Sequence, residues 1–164
     1  MKKLIYPLIF AALLISGCKP KTPDMESAMK AINELLDKNE AAIKNRNLDS
    51  MAALLDDRGL YCGTDPSELW TKKQICDEYA RMFADSTVNF NKSAVGKREI
   101  RIQEDGNSAI VIEQWIIEQL FPKMPVRMIT QLIKEDNAWK INFTSISLIP
   151  LNNDVVKLNK AMEK

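Results

Sequence analysis

Histidine occurs nowhere in the 164 residues. That absence removes much chemistry. Neither a Ser-His-Asp nor a Cys-His nucleophile can be assembled. A zinc site with a histidine ligand is excluded, and Cys62 and Cys76 are too few for a thiolate cage. Neither metal nor cofactor is expected, and any acid–base work falls to Asp, Glu, Tyr or Lys. Basic blocks are missing too. The 23 Lys and Arg are spread among 22 Asp and Glu, so a nucleic-acid partner is not expected. There is no internal repeat and no low-complexity tract.

No apolar run is long enough to span a bilayer as a helix. The most apolar stretch, residues 4–15, follows Met1-Lys2-Lys3 and precedes Ser16-Gly17-Cys18. A positive start, a short apolar stretch and small residues make a secretory signal. Ile15-Ser16-Gly17-Cys18 resembles the bacterial lipobox, with Ile where Leu is usual. The resemblance implies cleavage before Cys18 and acylation of its thiol and new amine, with palmitate-like chains that anchor stably. Cleavage there takes 17 of the 164 residues and leaves 147, enough for one domain with a real core. Two lysines leave with the signal, so the mature chain carries 21 basic and 22 acidic residues, a formal charge of −1. Residues 18–24, with "KPKTPD" after the cysteine, read as a tether. Lys19 stands where some inner-membrane lipoproteins carry an acid, which points to the outer membrane, facing the periplasm. The expected address is the bacterial cell envelope.

Residues 25–150 read as the folded domain. Met25, Ala28, Met29, Ile32, Leu35, Leu36 and Ile43 recur at helical spacing and predict an amphipathic helix over 25–43. Asn47 can cap a second helix carrying Leu48, Met51, Leu54 and Leu55. Gly59 ends it, and "LYC" reads as a short strand. A third helix spans 71–83, with Ile75, Cys76, Tyr79, Met82 and Phe83 on its apolar side. Extended segments follow, paired around Asp105-Gly106 and Asp136-Asn137, with a proline-containing turn at 121–125. Helices followed by a strand meander predict an α+β fold with an antiparallel sheet. The tail, 151–164, is either a short amphipathic helix or without structure.

The loop "CGTDPSELWTKKQI" carries two helix-start patterns. Asp65, Pro66 and Glu68 fit a capping box with proline at the first helical position. Thr71 and Gln74 repeat the box, and Trp70 with Ile75 fits a hydrophobic staple. Such caps contribute about 1 kcal/mol each. Cys62 and Cys76 flank this loop. They form either a disulfide, as an exported protein allows, or two small buried thiols on a strand and a helix face.

If Asp105 and Gly106 are the two residues of a tight turn, Ile102 faces Ala109, Ile100 faces Val111 and Arg98 faces Glu113. Arg98, Ile100 and Ile102 then share the core face with Val111, Glu113, Trp115 and Ile117. The opposite face, with Ile110, Ile112 and Ile116, is unusually apolar for a solvated surface.

The order of these elements, with "NLDSMAALL", "GTDPSELWTKKQI" and the closing "NAWKINFTSIS", resembles the SnoaL-like branch of the nuclear transport factor 2-like superfamily over about residues 26–148. The resemblance implies a cone, with three N-terminal helices packed in a curved antiparallel sheet around an inner pocket. It also implies homodimers through the sheet. Members include isomerases, cyclases and dehydratases as well as binding domains, so the fold alone assigns no reaction. Members often carry histidine near the end of the last strand, where this chain has Phe143, Thr144 and Ser145, which speaks against that kind of catalysis. Within such a cone Tyr61, Asp65, Arg98, Glu113 and Trp115 are candidate ligand-binding residues. Two plainer readings stand beside this: Asp65 is only a cap, and Arg98 with Glu113 is only a cross-strand ion pair. The leading expectation is a lipid-anchored protein that binds a small molecule or an envelope partner without turnover. The alternative is an isomerase or dehydratase with Glu113 or Asp65 moving the proton and Tyr61 donating a hydrogen bond.

Overall fold

The computed structural model describes residues 23–119 and 121–163. The signal, Cys18 and the first part of the tether lie outside the described residues. Asp24 caps the first helix, α1 (Met25–Lys44), its carboxylate accepting from the Ser27 N–H at 3.0 Å. Ala28, Ile32, Leu35, Leu36 and Ala42 bury one face, whereas Met25 and Met29 stay exposed at its start. Arg46, with φ 54°, turns the chain, and Asn47 caps the five-residue α2 (Leu48–Ala52) through the Ser50 N–H.

Here the sequence reading is corrected. The helix stops at Ala52, and Leu55 opens a strand, β1 (Leu55–Cys62), that runs straight through Gly59. Gly59 is there for close approach, not to end a helix. A Cβ on it would collide with the Tyr61 hydroxyl and lie 2.8 Å from the Asn142 carbonyl oxygen. Strand β2 (Leu69–Trp70) returns along β1 and leads into α3 (Lys72–Ala84). The Thr71 capping box forms as read, with the Thr71 hydroxyl on the Gln74 N–H and the Gln74 side chain on the Thr71 N–H. Strands β3 (Ser93–Ile102), β4 (Ser108–Ile117), β5 (Val126–Glu135) and β6 (Ala138–Leu148) complete the sheet, and α4 (Val155–Met162) ends the described chain. Of the two readings of the tail, the helix is the one observed. It buries none of its residues.

The strands lie in the order β2-β1-β6-β5-β4-β3. The sheet is mixed, not antiparallel throughout, because β1 runs parallel to β6. Nor do three helices precede it. One long helix and one short one come first, and α3 follows β1 and β2. Helix α1 packs against β3 and β6 and α3 against β1, so the helices share one face of the sheet. Shifts in register within β1, β3 and β6 bend that sheet, since a bulge adds a kink and extra twist.

The β3–β4 register is the one expected: Ile102 opposite Ala109, Ile100 opposite Val111, Arg98 opposite Glu113. The turn differs. Gln103 pairs with Ser108, leaving four loop residues with Gly106 at φ 68°, rather than two. Lengthening the loop symmetrically leaves the register intact. The β5–β6 hairpin does close through two residues, Asp136 and Asn137, both with positive φ as a type I′ turn requires.

Register fixes what faces the helices. Trp70, Tyr61, Thr144, Thr130, Val111 and Ile100 stand side by side from one sheet edge to the other. Ile146, Met128, Glu113 and Arg98 form the neighbouring row. The alternate positions Leu60, Ile110, Ile112 and Ile129 leave large apolar side chains exposed on the convex face.

Candidate functional site

Between α1, α3 and the concave face lies a cavity of about 250 Å³. Apolar and aromatic side chains dominate its wall, with Trp70, Tyr79, Phe90 and Trp115 contributing rings. The long α1 supplies Leu36, Asn39 and Ile43, which recur at helical spacing on the face turned to the sheet.

Glu113 is the buried acid of this wall, 1% exposed. Its Oε1 accepts from Arg98 Nε at 2.6 Å and its Oε2 from the Trp115 indole N–H at 3.1 Å. Arg98 also donates to Asp37 Oδ1 at 2.9 Å and Asn33 Oδ1 at 3.2 Å on α1. Burial works against the Arg98 charge, but the bonds to Asp37 and Glu113 outweigh it and hold the guanidinium protonated. Arg98 does not line the cavity; it stands behind Glu113 and braces α1 to the sheet. Both carboxylate oxygens of Glu113 are thus engaged within the protein, whereas a general base needs a carboxylate within reach of the substrate proton.

Tyr61 lines the cavity with its ring, but its hydroxyl lies 2.9 Å from the Ile141 carbonyl oxygen and 3.0 Å from that of Asp56. Burial first, and the nearby Asp56 charge second, push the phenol well above its ordinary pKa. The group expected to offer a ligand a hydrogen bond is committed to the backbone.

Asp65 is not part of the cavity wall. It is exposed, in the turn joining β1 to β2. Its carboxylate accepts from the Ser67 N–H and hydroxyl, the Glu68 side chain returns to the Asp65 N–H, and the Glu68 N–H donates to the Asp65 carbonyl. Of the two capping-box bonds only the one from the Asp65 N–H to the Glu68 side chain forms; the Asp65 carboxylate takes Ser67 instead, the set closes a β-turn and no helix follows. The spacing specifies a local set of bonds, and tertiary pairing of Leu69 with Cys62 decides what comes next. Cys62 and Cys76 are free thiols, both half-buried, so the bridge is not formed. Burial raises the Cys76 thiol pKa, which makes it a poor nucleophile.

The sequence reading missed Asn39. Its Oδ1 is buried and, among the described residues, no group donates to it. A signal was available: Asn39 interrupts the apolar series Ile32, Leu36, Ile43 at helical spacing. Arg46 was missed as well. Its guanidinium binds the carbonyls of Phe83, Asp85 and Val88 and lies 5.6 Å from the Phe90 ring centroid. Gln119 accepts from the Asn89 N–H at 2.6 Å and donates to the Thr87 carbonyl at 2.7 Å. Together they hold Val88, Asn89 and Phe90 against the cavity.

A SnoaL-like domain family model matches residues 32–152. The chain belongs to the SnoaL-like family. The match spans the elements that build the cone, from the middle of α1 through β6. Among curated proteins, none matches. The SnoaL-like chain is similar in fold to an uncharacterized protein with a cystatin-like fold from Caulobacter vibrioides, at TM-score 0.65 and 14% identity over 84% of this chain and 99% of that one. A nuclear transport factor 2-like protein of unknown function from Pseudomonas putida gives 0.63 at 11% identity, covering 77% and 89%. One from Cytophaga hutchinsonii gives 0.57 at 21%, covering 74% and 98%. At these identities the likeness is one of fold alone.

Proposed function

We propose that this SnoaL-like domain is a binding module that takes a small molecule into its cone without chemical turnover. The observation that carries the reading is the largely apolar cavity whose buried acid, Glu113, is already paired with Arg98 and Trp115. Ligand sites are concave and mostly apolar with a few placed polar groups, and this wall fits that description. An isomerase or dehydratase needs a carboxylate free to reach the substrate proton, and both Glu113 oxygens are already engaged within the protein.

The proposal includes the address. Acylation of Cys18 anchors the domain to a membrane of the bacterial envelope, and the short polar stretch after it spaces the cone from the surface. It also includes a second copy of the chain covering the convex face, where Leu60, Ile110, Ile112 and Ile129 are 46%, 41%, 39% and 37% exposed. A thermal-shift screen against a broad metabolite set, with each hit followed for conversion by NMR, tests the binding reading. Hits that stabilise and stay unchanged support it; a hit that is converted to product sinks it.

A further inference from the structure

We infer that the cone takes a compact, uncharged aromatic molecule carrying one O–H or N–H, which donates to Asn39 Oδ1. This rests on the binding reading above and names its ligand class.

Three features of the wall converge. First, its charges are already matched within the protein. Glu113 is paired with Arg98 at 2.6 Å and Glu40 with Lys44 at 2.5 Å, and among the described residues no other charged side chain lines the cavity. An ionised ligand would give up its hydration and find no free countercharge, so the wall selects against ions. Second, Asn39 Oδ1 is a buried acceptor that receives no hydrogen bond from the described residues. A buried polar atom without a partner is costly, and a ligand that donates to it removes that cost. Three other polar groups of the wall are engaged within the protein: the Tyr61 hydroxyl with backbone carbonyls, the Ser93 hydroxyl with the Phe90 carbonyl, and Gln119 with Asn89 and Thr87. The hydroxyls of Tyr79, Thr130 and Thr144 can serve a ligand as either donor or acceptor, so Asn39 Oδ1 is the group that calls specifically for a donor. Third, the rings of Trp70, Tyr79, Phe90 and Trp115 surround the space, and flat aromatic partners pack well against such walls by stacked and edge-on contact. The volume, about 250 Å³, restricts the guest to a compact one.

Selectivity follows from the unpaired oxygen. A site built to hydrogen-bond a ligand group rejects the analogue lacking it, because its own buried group is left dry and unmatched. The test uses matched probes on the full chain: indole against 1-methylindole, 4-methylphenol against 4-methylanisole, and indole-3-carboxylate as the anion. Binding is read by calorimetry and by NMR shifts of the Trp70 and Trp115 indole N–H signals. The donors are expected to bind at least about tenfold tighter than their methylated partners. The anion is expected to bind more weakly than indole, and Asn39→Leu is expected to shrink the donor preference to within about twofold. Equal affinity within both pairs, tightest binding of the anion, or no binding by any probe overturns the inference. The probe pairs on the unaltered chain decide the matter even if Asn39→Leu does not fold. Failure of this ligand class stays separable from failure of the binding reading. Screen hits of other chemistry that Thr144→Phe excludes from the cone leave the module standing without this ligand class, whereas no hit of any chemistry removes both.

Discussion

Arg98 donates through Nε to Glu113 Oε1 across 2.6 Å, from one strand to its neighbour, while its Nη1 donates to both Asp37 and Asn33 on α1. One side chain thus ties the helix to the concave face and neutralises the buried acid of the cone. Removing one partner of a buried pair leaves an uncompensated charge, whereas replacing both by apolar groups of similar volume is often neutral. Arg98→Ala is therefore expected to lower stability by about 3 kcal/mol in urea unfolding. Arg98→Met combined with Glu113→Leu is expected to recover most of that loss. A loss near zero for the single variant would show that the pair behaves like an exposed one.

Gly59 and Tyr61 form a second coupled pair. A methyl group at Gly59 would overlap the Tyr61 hydroxyl and crowd the Asn142 carbonyl. Gly59→Ala is expected to cost about 2 kcal/mol by overpacking. Tyr61→Phe removes the colliding oxygen, so the double variant should be less destabilised than the sum of the singles. Additive losses in a double-mutant cycle would show that the ring carbon Cζ, which Tyr61→Phe retains, or the Asn142 carbonyl, rather than the hydroxyl, sets the requirement for glycine.

These two pairs also show what the sequence could and could not reveal. Helix α1, the Thr71 box and the Arg98–Glu113 register follow from local pattern, because periodicity, cap spacing and pleat are local rules. Where β1 begins does not. "MAALLDDRGLYC" carries a helical stripe through Leu54 and Leu55, and the parallel ladder with β6, some 80 residues away, turns Leu55 into a strand. The Asp65 loop shows the same limit from the other side. Its Glu68–Asp65 bond was legible, but a strand rather than a helix follows it. At the site, Glu113 and Trp115 came from strand alternation. The place of Asn39 in the apolar stripe of α1 was visible, but its role and that of Arg46 were not, because these depend on what other elements withhold or present: among the described residues no donor for Asn39, three carbonyls for Arg46.

Acid should weaken the fold through Asp56. The residue is 2% exposed, and its carboxylate accepts from the Arg58 N–H at 2.9 Å and from Asn142 Nδ2 at 2.7 Å. Burial alone would raise its pKa, but those bonds and the Arg58 charge hold it below the ordinary value. A carboxylate depressed in the folded state contributes stability above its unfolded pKa, about 3.9, and loses it as pH falls through the folded one. Urea midpoints between pH 7 and pH 3 should fall in the acid range for the unaltered chain. Asp56→Asn should start lower at pH 7 and fall less steeply below about pH 4. Parallel curves would assign the acid sensitivity to other groups.

The proposed anchor is Cys18, which follows Ser16-Gly17 and precedes a polar stretch. Mass spectrometry should find a mature chain that lacks residues 1–17 and begins at an acylated cysteine. Cys18→Ser should leave the membrane fraction, or remain unprocessed, while keeping the circular dichroism of the unaltered domain. An unmodified Cys18 on soluble protein would refute the anchor.

The most direct measurement of the binding claim pairs a ligand found by screening with a plugged cone. Thr144 stands in the central row of the concave face and lines the cavity, so Thr144→Phe fills the space from β6 without touching Glu113 pairing. At one hundred times its dissociation constant, a ligand specific to the folded state should add about 2.7 kcal/mol to the stability of the unaltered protein and emerge chemically unchanged. The plugged variant should gain almost nothing. Equal stabilisation of both proteins would locate binding outside the cone, and conversion of the ligand would make the protein an enzyme.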